Sequence, residues 1–104
     1  MKEHSIHEQA ILRVQEMESA FDRLQQAWAE NPQVFRTDGE ICHMLQTVTA
    51  YYESPRWQAD YRLDEEGAFP AGMKRGILSE DEFYNFLCDV EAYLRQADAG
   101  DVQQ

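Results

Sequence analysis

Lys74-Arg75-Gly76 places the chain's one adjacent basic pair three residues before Ser79-Glu80-Asp81-Glu82, a serine-led run that reads as the capped start of a helix. Helix N-termini present free N–H groups and partial positive charge, so Lys74, Arg75 and Ser79 together could hold a phosphate or carboxylate. The competing use of the same residues is internal. Ser79, Glu80 and Asp81 would then fill the helix end, while Arg75 pairs with Asp60, Asp64 or Glu65 to pin the preceding connection. Trp57, Tyr61 and Phe69 lie in that connection, and aromatics mixed with arginine are enriched where proteins dock. In so short a chain the same aromatics also serve as core, with Trp57 plugging an open bundle end. The candidate interaction or anion site is therefore Trp57, Asp60, Tyr61, Phe69, Lys74, Arg75 and Ser79.

Other constellations are weaker. Asp60, Asp64, Glu65 and Glu66 precede Gly67 as in a calcium loop, but Arg62 stands where an oxygen ligand is needed and the closing glutamate is missing. His4 and His7 share a helix face at i and i+3, and Cys42-His43 with Cys88 could meet as soft ligands. Neither set has a recognised zinc spacing. Cys88 has no sequence-defined base, and there is neither a nucleophile elbow nor a Gly-rich phosphate loop. Glu16, Glu18, Asp22, Asp89, Glu91 and Asp98 read as solvated helix faces, and the two cysteines as reduced, partly buried small hydrophobes. No catalytic residue, cofactor or metal is expected, and the chain is not read as an enzyme.

The elements that position these residues follow from periodicity. Ala10, Val14, Met17, Phe21, Leu24 and Trp28 recur at spacings of four and three, predicting a helix over 5–30 that stops at Asn31-Pro32. Thr37-Asp38-Gly39-Glu40 fits a capping box led by Thr37. The helix it opens spans 38–53, carries the stripe Ile41, Leu45, Val48 and Tyr52, and fades at Ser54-Pro55. Phe83, Leu87, Val90, Leu94 and Ala97 predict a third helix over 80–98, with Gly100 marking its end before a polar tail, 99–104. Residues 54–78 hold Trp57, Tyr61, Leu63, Phe69, Met73, Ile77 and Leu78, anchors that would be wasted in solvent. They predict an ordered crossover, with one short helix near 55–61. The expected fold is all-α: one domain, a small three-helix bundle with a long ordered crossover between its second and third helices.

The chain has 104 residues, 20 acidic and 9 basic, for a net charge of −11. That charge opposes direct nucleic-acid binding and attraction to anionic membranes. It is unevenly held: residues 1–50 carry a balance of −4 and residues 51–104 a balance of −7. There is no signal-peptide pattern, and nowhere do about 18 apolar residues run together, so a cytoplasmic location is expected.

Tyr51-Tyr52-Glu53-Ser54, Trp57, Asp60, Asp64-Glu65-Glu66-Gly67, Pro70, Lys74-Arg75-Gly76-Ile77-Leu78-Ser79-Glu80-Asp81 and Tyr84-Asn85 resemble the bacterial family catalogued as domain of unknown function 4298. The likeness is densest from Tyr51 to Leu87, and the run from Arg75 to Asp81 is its most specific piece. Ile77 stands where the family usually has valine, a small change in volume. The resemblance implies a small, mostly helical bacterial protein and brings no established activity. The reading is an interaction module that binds a protein partner or itself as a homodimer, through the aromatic crossover or a surplus of the first helix's stripe. The alternatives are an acidic nucleic-acid mimic that inhibits a DNA- or RNA-handling protein, and a small anion- or nucleotide-binding protein using Arg75.

Overall fold

Ala10, Val14, Phe21 and Leu24 form the inward stripe of α1, Lys2–Glu30. The computed structural model describes the backbone of residues 2–103 and the side-chain surroundings of residues 7–96. After Pro32 comes α2, Val34–Thr37, a single turn that buries Phe35. Then follow α3, Gly39–Tyr52; α4, Pro55–Glu65; a 3-10 turn, Gly76–Leu78; and α5, Glu82–Gln103. The fold is all-α, with no strand among the described residues.

Aromatic contacts set the directions. Phe21 packs edge-on against Phe83 and Phe86, with ring centroids 5.3 and 5.5 Å apart, and Trp28 meets Tyr93 at 5.4 Å, so α1 and α5 run parallel. Trp28 also meets Phe35 at 5.6 Å, while Arg13, two turns before Phe21, bonds Asp60 beside Tyr51. Thus α3 runs back along α1. Tyr52 against Phe83, and the Arg36 guanidinium 4.3 Å from the centre of the Tyr93 ring, make α3 and α5 antiparallel. Three long helices share one core of Val14, Phe21, Leu24, Ile41, Val48, Phe83 and Val90.

The crossover departs most from expectation. In place of one short helix near 55–61 it holds an eleven-residue helix, giving four long helices rather than three. Local chemistry accounts for both ends of α4. Ser54 Oγ accepts from Trp57 N and Pro55 supplies a preset φ at the first position. At the far end Gly67 adopts φ 76°, Gly67 N bonds Asp64 O, and Ala68 N bonds Leu63 O, a Schellman closure that glycine enters without strain.

Several local expectations are corrected. Thr37 does not cap α3: it closes α2, donating to Gln33 O, and Asp38 Oδ1 takes Glu40 N and Ile41 N instead. The inward tyrosine is Tyr51, with Tyr52 half-buried, and Phe86 joins the core while Leu87 and Leu94 are only half-covered. Cys88 is exposed, because the buried stripe of α5 is centred on Phe83, Phe86 and Val90. The α5 backbone continues past Gly100 to Gln103, through the segment read as a polar tail; the expected contact of Ala97 lies outside the described residues. Ser79 does assist the start of α5, its Oγ accepting from Glu82 N at 3.4 Å.

Phe21 packs against both Phe83 and Phe86 of α5. Phe21→Ala is expected to lower the unfolding free energy by about 4 kcal/mol, read as a shift in urea midpoint with an unchanged m-value.

Candidate functional site

Asp60 sits on α4, a helix with little apolar surface, yet it is 1% exposed. Its carboxylate is bound on both oxygens. Arg13 Nε donates to Oδ2 at 2.9 Å and Nη2 to Oδ1 at 2.8 Å, while the Tyr51 hydroxyl donates to Oδ2 at 2.7 Å. One residue from each of α1, α3 and α4 is thereby tied to one point. The pair holds the Arg13 guanidinium firmly protonated, and burial together with the Asp60 charge pushes the Tyr51 phenol well above its ordinary range. Tyr51 is therefore a hydrogen-bond donor here and not a base. Beside the knot, Gln9, Arg13, Ala50, Tyr51, Pro55 and Arg56 line a cleft of about 800 Å³.

The other candidate residues of the crossover are also engaged internally. Trp57 is half-buried, its indole N–H donating to Ile77 O at 2.8 Å, and it stacks on half-buried Tyr61 at 5.2 Å between centroids. The Tyr61 hydroxyl donates to Glu80, Phe69 is in the core, and exposed Lys74 pairs with Asp22 at 2.7 Å. Half-buried Ser79 donates to Asp81. Arg75 pairs with Asp64 at 2.9 Å and donates to Pro70 O at 3.0 Å. The cleft of about 550 Å³ that Arg75 lines also presents Asp64, Glu65, Glu80 and Glu82, so its field disfavours a second anion. Arg75 pins the connection.

Glu18, read from sequence as solvated, is 6% exposed. Its Oε1 accepts from Ile77 N at 2.8 Å, fastening the 3-10 turn to α1. Burial raises its pKa and the Ile77 N–H only partly opposes this. Gly76 lies against it: a Cβ there would come within 3.2 Å of Glu82 Oε1 and 3.3 Å of Glu18 Oε2. No cluster of three or more His, Cys, Asp or Glu side chains is arranged to hold a metal ion among the described residues. The His4–His7 pairing lies outside the side chains described. Cys42 donates to Phe35 O.

What the internal contacts leave uncovered is a groove between α3 and α5. Leu45, Thr49, Ala50, Leu87 and Leu94 line about 370 Å³ of it, with Gln46, Glu53 and Glu91 at its edges. Leu45, Leu87 and Leu94 carry the predicted a/d spacing but flank the core instead of filling it. Their half-covered state was not visible in the pattern.

The sequence model of the family described as Domain of unknown function (DUF4298) matches residues 14–97. The chain belongs to this family, and the match extends beyond the Tyr51–Leu87 stretch to take in most of α1 and all of α3. No curated protein and no solved structure matches the chain.

Two measurements test these roles. Asp60→Ala strands the Arg13 guanidinium and should cost about 3 kcal/mol of stability, against about 1 kcal/mol for Arg75→Ala, both read by urea unfolding. For Glu18, whose folded pKa is raised, the native chain holds a proton that the unfolded chain has released over the window above the ordinary carboxyl range. Stability therefore falls as pH rises through that window. Glu18→Gln keeps an acceptor for Ile77 N without titrating. The stability of wild type relative to this variant should decline as pH rises above the ordinary carboxyl range, about pH 4 to 4.5, in urea titrations.

Proposed function

We propose that this member of the DUF4298 family is a cytoplasmic protein-interaction module whose docking face is the groove between α3 and α5. The observation that carries this reading is the half-covered row Leu45, Leu87 and Leu94. The two surfaces to which sequence points first are spent inside the molecule. The α1 stripe is taken up by α3 and α5, and the aromatics of the crossover bond to its own strap. A row of leucines at helical spacing that lacks a facing helix matches the way amphipathic helices are received by bundles. No helix among the described residues is long and apolar enough to cross a membrane.

The reading is tested by photo-crosslinking in the native cell. A photoreactive residue at Gln46 or Leu87 should give a discrete protein adduct, and the same residue at Arg23, exposed on α1, should not. Adducts formed equally from all three positions, or from none, would sink the assignment.

A further inference from the structure

We propose that the occupant of the α3/α5 groove is a basic amphipathic helix, one with apolar residues on one face and lysines or arginines along that face's margins. This rests on the groove being a docking face and adds the chemistry of what docks there. The apolar part follows from the lining. Leu87 and Leu94 are two turns apart on α5, roughly 10 Å, and Leu45 stands on the antiparallel α3, so the row matches anchors at i, i+3 or i+4, and i+7 of a third helix.

The charge part follows from the edges. Glu53 at the end of α3 and Glu91 in the middle of α5 both line the groove, and the lining contains no basic residue. Neither forms an ion pair among the described residues, whose pairs are Arg13–Asp60, Lys74–Asp22 and Arg75–Asp64. An incoming cation on either margin therefore meets an available partner at the border of an apolar strip, where water is partly excluded and the attraction is stronger than on an open surface. A second copy of the chain is a poor occupant. It would bring another net charge of −11 and, groove to groove, set a second Glu53 and Glu91 margin against the first. Nucleic acid and anionic membranes fail on the same charge.

The test uses the whole protein and three synthetic peptides of about 18 residues, five helical turns. One is a leucine/lysine amphipathic helix, one its leucine/glutamate counterpart, and one a leucine/lysine scramble with no apolar face. Affinity is read by fluorescence anisotropy and position by NMR shift mapping. The leucine/lysine helix should bind about tenfold or more tightly than either other peptide, shift the resonances of Leu45, Thr49, Leu87 and Leu94, and weaken as salt rises. The Glu53→Gln/Glu91→Gln double variant, altered only at the groove edges, should weaken it about tenfold. If the scramble binds as tightly, or the double variant leaves affinity unchanged, or the shifts map elsewhere, the proposal is overturned. If the lysine and glutamate helices bind the groove equally, the docking face stands and the basic occupant does not. If no peptide binds there, the face falls as well.

Discussion

A carboxylate taken out of water must be matched on every side, and Asp60 is the place where this chain accepts that constraint. Its two oxygens carry three hydrogen bonds, from Arg13 on α1 and Tyr51 on α3. A helix as polar as Pro55-Arg56-Trp57-Gln58-Ala59-Asp60-Tyr61-Arg62-Leu63-Asp64-Glu65 has little apolar surface with which to hold its place. The knot supplies a directional substitute. Buried pairs of this kind add little net stability over an apolar plug, because desolvation offsets most of the attraction. What they add is register: one rotation of α4, and one sliding position against α1, satisfies the bidentate geometry.

From that position the rest of the crossover follows. With Asp60 turned inward, Trp57 and Tyr61 fall on the adjacent side of α4, where Trp57 reaches Ile77 O and Tyr61 reaches Glu80. The 3-10 turn is then held from two directions, by the indole on one side and by Glu18 on the other. Gly76 allows this because two carboxylates crowd the space a side chain would need. Lys74 and Arg75, the pair that looked available for a ligand, close the strap onto Asp22 and Asp64. The basic pair in an acidic chain is thus spent on neutralising the folds of its own connection.

Much of this architecture is legible in the residue pattern, and the failures have physical causes. The four-three spacing of α1, the stop at Asn31-Pro32, the break at Ser54-Pro55 and the ordered crossover can be read directly, because each depends on neighbours in the chain. Glu18 could not be distinguished from Glu16, since its partner Ile77 N is 59 residues away. Periodicity could not choose between Tyr51 and Tyr52 either. The choice is made by Asp60, which offers an acceptor to one and not the other. The full length of α4 was hidden because its caps and its knot, rather than an apolar stripe, sustain it. The candidate residues clustered from Trp57 to Ser79 do come together, but as a strap. The groove residues were legible as apolar helix positions and illegible as surface.

That last difference bears on what an a/d pattern means. A heptad row records that a helix has an apolar side, not how wide a side its neighbours can cover. On α5, Phe83, Phe86 and Val90 point into the shared core, and the row through Leu87 and Leu94 is rotated away from it toward α3. Leu45 lines the same channel from α3, so both helices present apolar flanks to it. Closing that channel within the chain would take a fourth long helix lying along it. The one additional long helix, α4, is held instead at the Arg13 end of the molecule by Asp60. Its polar surface would not fill an apolar channel in any case, so the groove stays open, and a chain with a net charge of −11 lines its edges with Glu53 and Glu91. An apolar channel edged by carboxylates that form no ion pair among the described residues is what remains when the fourth helix is polar and fixed elsewhere.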